Sequence, residues 1–126
     1  MSIVGLARFE TVAIYVVDFE KALKFYTEIL GFEKIRNMGP GCLLELKGQL
    51  SLYLEGGRKP RIKKDIGTVP ACVLCLSTTE GLKESWNRLK KAGVETFGDY
   101  EALSDDFHMF RIADPSGNLI EFAGKP

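Results

Sequence analysis

From Thr11 to Val17 two parities alternate: Val12, Ile14 and Val16 on one, Thr11, Ala13 and Tyr15 on the other. This period of two predicts a strand. Asp18 then offers an N-cap, with Lys21 where a capping box would place Glu. Phe19, Leu23, Tyr26 and Leu30 recur at helical spacing up to Gly31. The reading is a helix over about residues 19–30, closed by Gly31 in the left-handed conformation. Three short apolar stretches follow, 32–36, 42–47 and 50–54, separated by Gly39-Pro40-Gly41 and Lys47-Gly48-Gln49, which is hairpin chemistry. Leu50, Leu52 and Leu54 alternate with Ser51, Tyr53 and Glu55, so that strand has one strongly apolar face.

The same order then begins again. Residues 71–77 are strand-like, Thr79 is a candidate N-cap, and Leu82, Trp86, Leu89 and Lys90 carry a helical pattern to Ala92 before Gly93. Residues 94–97, 107–113 and 118–123 supply three more strands, the last two joined by the type I turn sequence Asp114-Pro115-Ser116-Gly117. Gly31 and Gly93 mark corresponding points of a repeat of about 60 residues. One unit of this kind leaves a sheet face uncovered that two units can bury or shape together. Residues 57–69 connect the copies. The run Arg58, Lys59, Pro60, Arg61, Ile62, Lys63, Lys64 there suits an anion-binding patch or a solvated linker. Without interleaved aromatics it reads as a linker.

Composition narrows what such a chain can be. At 126 residues and 14.0 kDa it has the size of one domain, 1–126, with module one at about 8–56 and module two at about 70–126. Hydrophobic residues at 45% and charged ones at 27% exclude disordered and collagenous classes. Seventeen basic residues balance seventeen acidic ones, which removes the bulk attraction that nucleic acid or an anionic membrane would need. The expected partner is a small molecule or a second copy. The odd set Cys42, Cys72 and Cys75 suggests a reducing compartment. The opening residues lack a signal-peptide pattern, and no run reaches the roughly 18 apolar residues of a membrane span, so a cytoplasmic location is expected.

This order of elements meets specific residues: Val12-Ala13-Ile14-Tyr15-Val16-Val17-Asp18, then Phe25-Tyr26, Leu30-Gly31-Phe32, and Asp114-Pro115-Ser116-Gly117-Asn118-Leu119-Ile120-Glu121. On these the chain resembles the glyoxalase, bleomycin-resistance and extradiol-dioxygenase superfamily, the vicinal oxygen chelate proteins, over nearly its whole length. The resemblance implies an α+β fold of two tandem βαβββ modules, their curled mixed sheets around a shared cleft and the helices outside. It also implies that in the enzymes a divalent metal is held in the cleft by side chains from the first and last strand of each module. There it chelates substrate oxygens and acts as a Lewis acid.

Glu121 falls where the DPxGNxxE hairpin of the family puts its metal-binding carboxylate, and it is the candidate catalytic and metal residue. The other three positions fall on Thr11, on Ala71, and on one of Ser51, Leu52 or Tyr53, none a usual ligand. One carboxylate with waters binds a divalent cation weakly, so no cofactor is expected, with a divalent metal as the alternative. Displaced ligands could come from Glu10, which shares the parity of Val12 and Ile14, from Glu55, in phase with Ser51 and Tyr53, or from His108. The last is the sole histidine and is in phase with Phe110 and Ile112, which suits a core-edge place unless a bulge turns it. Cys72 and Cys75 spell C-x-x-C, but on a strand they point to opposite faces, away from redox or zinc chemistry.

If Val12, Ile14 and Val16 pack on the helix, then Thr11, Ala13, Tyr15 and Val17 face the cleft, with Ala71, Val73, Cys75 and Ser77 from the second module. Leu119 and Glu121 join them, with Met109 and Arg111 opposite Phe110 and Ile112. Thr11, Tyr15, Tyr53, Ala71, Val73, Met109 and Arg111 are therefore the candidate ligand-binding residues: largely apolar, with a few convergent polar groups. Arg111 could take a ligand carboxylate or phosphate, and Tyr15 and Tyr53 could stack on a planar guest or simply pack. Glu121 could accept a ligand hydrogen bond, act as a general base, or merely pair with Arg111. The resemblance extends to metal-free members, such as bleomycin-binding resistance proteins, homodimers that sequester a compound. The expectation is a homodimer that binds or sequesters a small organic molecule. The alternative is a metal-dependent lyase or isomerase resembling lactoylglutathione lyase, or a dioxygenase, with displaced ligands.

Overall fold

The opening alternation forms β1, Val12–Tyr15, and Val16 continues its pairing by donating its N–H to the Glu55 carbonyl at 2.8 Å. In this computed structural model residues 3–5, 10–59 and 73–126 are described. The chain divides into two compact units, Met1–Arg58 and Lys59–Pro126. Asp18 caps α1, Phe19–Lys24, its Oδ1 accepting the Lys21 N–H at 3.1 Å. The predicted single helix changes character at its end: Phe25–Ile29 is a π-helical turn, and the Leu30 N–H reaches five residues back to the Phe25 carbonyl at 3.1 Å. The wider turn keeps both Phe25 and Tyr26 buried, their rings edge-on at 5.4 Å, with Phe32 against Tyr26 at 6.0 Å. Gly31, at φ +84°, then reverses the chain.

Strands β2 (Glu33–Met38), β3 (Gly41–Leu46) and β4 (Leu50–Glu55) complete the unit. The sheet order is β1-β4-β3-β2, with β1 parallel to β4 and the other pairs antiparallel. Cys42, Leu44, Leu52 and Leu54 share one parity and are fully buried. Ala13, Tyr15, Leu43, Tyr53 and Glu55 take the other face.

The second unit repeats the order with β5 (Leu74–Leu76), α2 (Leu82–Lys91), β6 (Thr96–Ala102), β7 (His108–Ala113) and β8 (Leu119–Gly124), the sheet running β5-β8-β7-β6. Phe110 stacks on Phe122 at 5.0 Å and meets Trp86 of α2 in a tilted pair at 5.0 Å, and Leu82, Ile112 and Ile120 are buried with them. Thr79 is not the N-cap of α2. That place belongs to Gly81, because the Lys125 carbonyl accepts the Leu82 N–H at 2.9 Å and Pro126 lies so close that a Cβ on residue 81 would collide with it. Strand β6 runs past the expected 94–97. Its register shifts between Phe97 and Glu101, with Gly98 at φ +74°, and Tyr100 returns to the aromatic cluster on Trp86 and Phe110. The bulge breaks the alternation on which the shorter strand was read.

Registers and stop glycines relate the units residue by residue. Ala13 pairs with Tyr53 as Cys75 pairs with Glu121, and the offset from Ala13 to Cys75 (75 − 13) equals that from Gly31 to Gly93 (93 − 31), 62 residues. Leu43 and Tyr53 map onto Arg111 and Glu121, both offset by 68 (111 − 43 and 121 − 53). The fold is α+β, two βαβββ modules with no closed barrel. Ala71, Cys72 and most of the basic connecting segment lie outside the described residues. Among the described residues no helix is long and apolar enough to cross a membrane.

Candidate functional site

The Asp114-Pro115-Ser116-Gly117-Asn118 turn sets the register of β7 against β8. Asp114 is buried, and its Oδ1 accepts the N–H groups of Ser116 and Asn118, each at 2.8 Å, while Oδ2 accepts the Asn118 side-chain amide at 2.9 Å. The Gly117 N–H closes the turn on the Asp114 carbonyl at 2.9 Å. With the hairpin so fixed, Glu121 stands directly opposite Arg111 on one side and Cys75 on the other. Phe97 follows beyond Arg111, so one lateral row reads Cys75, Glu121, Arg111, Phe97.

This row has the parity opposite to Phe110, Ile112, Ile120 and Phe122, which pack with α2. Arg111 Nε donates to Glu121 Oε2 at 3.1 Å, with the two side chains 28% and 23% exposed. Met109 and Leu119, two residues away along the strands on the same face and on either side of the pair, are buried, so the ion pair stands in an apolar setting. Burial first, then the charge of Glu121 and a hydrogen bond to it, pushes the Cys75 thiol up from its ordinary range. The thiol beside Glu121 therefore stays in its protonated form at neutral pH.

The corresponding row of the first unit is Ala13, Tyr53, Leu43, so Tyr53 stands where Glu121 does in the second. Its hydroxyl donates to Glu55 Oε1 at 2.7 Å. That bond, then burial and the nearby carboxylate charge, pushes the phenol up to about 12. Tyr15 lies beside Glu55 in the parallel register and is 48% exposed. Gly41 makes the arrangement possible: a Cβ there would collide with the Leu54 carbonyl and come within 2.9 Å of the Tyr53 hydroxyl.

The expected residues therefore sort into groups. Arg111, Glu121 and Met109 share one face of the second unit, and Tyr15, Tyr53 and Glu55 one face of the first. Thr11 is exposed and donates its hydroxyl to the Ser51 carbonyl at 2.7 Å, tying the approach to β1 onto β4. The offset of 62 makes half-buried Val73 its counterpart, two residues beyond Ala71. His108 pairs through Nδ1 with the Tyr100 hydroxyl at 2.8 Å and sits edge-on to that ring, on the parity of Phe110 and away from Glu121. Glu10 is exposed. Sequence reasoning placed Cys75 on the right face but gave it no role beside Glu121, since only the β5–β8 register shows that contact. Gly41 read as turn chemistry, when its place in β3 is set by the ring across it.

The donors around Glu121 do not fit a divalent metal. One carboxylate oxygen already receives a guanidinium N–H. Among the described residues no three His, Cys, Asp or Glu side chains converge.

The family model of the glyoxalase/bleomycin resistance protein/dioxygenase superfamily matches residues 8–122. The chain belongs to this superfamily. Among solved structures it is similar to a variant of the fosfomycin resistance protein FosX from Listeria monocytogenes, solved with Mn(II) and 1S,2S-dihydroxypropylphosphonic acid, at TM-score 0.75 and 16% identity over 97% of this chain and 95% of that one. A virulence protein from Salmonella typhimurium matches at TM-score 0.68 and 21% identity over 95% and 98% of the two chains. An integron cassette protein from V. cholerae matches at TM-score 0.66 and 20% identity over 97% and 98%. At these identities the likeness to these structures is one of fold.

Proposed function

We propose that this superfamily member is a small-molecule-binding protein without the complete metal site of the superfamily's enzymes, and that it holds a small organic acid at Arg111 and Glu121 of the second unit. The observation that carries this reading is the Arg111–Glu121 pair, about a quarter exposed on the sheet face away from α2, flanked by buried Met109 and Leu119. A guanidinium has five N–H donors, and the bond to Glu121 uses the one on Nε. The terminal nitrogens are the ones that grip a carboxylate or phosphonate in two parallel bonds. Glu121 accepts a ligand hydroxyl, and Met109 and Leu119 supply the apolar contact for the ligand's carbon skeleton. The protein works as a symmetric homodimer, the commonest assembly among soluble oligomers, in a reducing cytoplasmic setting that suits a free thiol at Cys75.

A thermal-shift screen of small carboxylic and phosphonic acids tests the reading, because a ligand that binds only the folded state must raise the melting temperature by mass action. At least one acid is expected to stabilise the wild type in a concentration-dependent way and to lose that effect in Arg111→Ala. A panel that leaves the wild type unmoved, or stabilises both proteins equally, contradicts it.

A further inference from the structure

We infer that the ligand held at Arg111 and Glu121 is an aryl-substituted carboxylic acid, with Phe97 as the residue that selects its aromatic ring. The inference rests on the acid-binding reading of that face and names the ligand class the face prefers.

The β6–β7 register pairs Phe97 with Arg111, and the row continues through Glu121 to Cys75. Side chains paired across antiparallel strands share a face and stand about 5 Å apart at Cβ, so Phe97 neighbours the guanidinium on the side away from Glu121. Arg111 leans the other way, its Nε bonded to Glu121 Oε2 at 3.1 Å. Among the described residues no cation lies over the half-buried Phe97 ring, whereas Lys83 Nζ sits 4.3 Å from the centre of the Tyr100 ring and Lys90 Nζ 5.1 Å from that of Trp86. Nor does any ring among the described residues pack on Phe97, while Trp86, Tyr100, Phe110 and Phe122 join one another at 5.0–6.2 Å.

The bulge in β6 produces this separation. The ladder shifts after Phe97 and resumes with Glu101 opposite Met109, so Tyr100 goes to the α2 side and Phe97 stays with Arg111. Nothing lies within 4 Å of where a Cβ on Gly98 would stand, so the backbone next to the ring is uncrowded. Glu101 is exposed and screened by water, which leaves Arg111 to set the charge of the ligand. An acid seated on the terminal guanidinium nitrogens meets two kinds of apolar surface. Met109 and Leu119 accept any carbon skeleton, but the Phe97 ring gains more from a second ring, packed offset or edge-on, than from an alkyl group of the same size. A one-carbon spacer carries such a ring across the roughly 5 Å between adjacent strands.

Phenylacetate is the probe and cyclohexylacetate its saturated counterpart, each titrated calorimetrically into the intact wild type and Phe97→Leu. The saturated ring is the more hydrophobic, so burial alone favours it. The wild type should instead prefer phenylacetate, and the ratio of the two affinities should fall roughly two- to tenfold in Phe97→Leu, with cyclohexylacetate binding retained. In the wild type the phenylacetate ring protons should also give NMR cross-relaxation to the Phe97 ring, a readout that does not depend on the variant. A preference for cyclohexylacetate, an aryl preference that survives Phe97→Leu, or the absence of that cross-relaxation would overturn the assignment while leaving acid binding at Arg111 intact. Binding of neither acid would overturn it as well, and the thermal-shift panel with Arg111→Ala then decides the acid-binding reading separately.

Discussion

Arg111 and Glu121 are directly opposed across β7 and β8, and the Arg111 Nε donates to Glu121 Oε2 at 3.1 Å. At about a quarter exposed, this pair is screened less by solvent than a fully exposed one. A double-mutant cycle with Arg111→Ala and Glu121→Gln, read by urea unfolding, should give a coupling of about 0.5–1 kcal/mol that shrinks at high salt. Zero coupling at low salt would mean that the two side chains do not meet.

Cys75 should react slowly. Its thiol is raised by burial and then by Glu121, so the thiolate fraction near neutral pH falls below that of a free cysteine. Peptide-resolved alkylation with iodoacetamide should show a pH–rate profile displaced upward. Glu121→Gln should move that profile part of the way back, because burial remains. A profile unaffected by the substitution would remove Glu121 as a contributor.

Tyr53 predicts a loss of stability at high pH with a definite sign. Its folded-state value of about 12 lies above the ordinary 10.0, so the contribution is fully present below pH 10. It falls as the pH rises toward about 12, where the unfolded chain releases the proton first. Unfolding free energy should therefore decline more steeply over that window in the wild type than in Glu55→Gln. Identical slopes would dissociate the phenol from the carboxylate.

Gly41→Ala and Gly31→Ala separate space from backbone conformation. At Gly41 a Cβ collides with the Leu54 carbonyl and the Tyr53 ring, so the substitution should cost about 1–3 kcal/mol and displace Tyr53. At Gly31 nothing lies within 4 Å of the added carbon, but φ is +84°, and the cost should be about 1–2 kcal/mol with the Tyr53 resonances unchanged. Both are read by thermal unfolding together with the tyrosine NMR spectrum.

Features whose physics is local were legible from the residues alone. Asp18 as a cap, Gly31 and Gly93 as stops, and the Asp114–Asn118 turn each depend on a few neighbouring residues, and alternation assigned the buried parity of β4 and β7. What could not be read depends on distant chain. Thr79 lost the cap of α2 because Lys125 and Pro126 come to its N-terminus, and β6 outran its pattern because a bulge at Gly98 sends Tyr100 back to Trp86. For the site, Arg111 and Glu121 followed from parity within one hairpin. The Cys75–Glu121 contact needed the parallel β5–β8 register, which no local signal encodes.

On the proposed function, Glu121 engages a guanidinium and a small organic acid rather than a divalent metal. Calorimetric titration of chelator-treated protein with Mn(II), repeated with Glu121→Gln, tests it most directly. No stoichiometric binding event is expected in either protein, and acid-induced thermal stabilisation of the wild type should be unchanged when Mn(II) is added. A one-to-one Mn(II) site that is present in the wild type and lost in Glu121→Gln would contradict it.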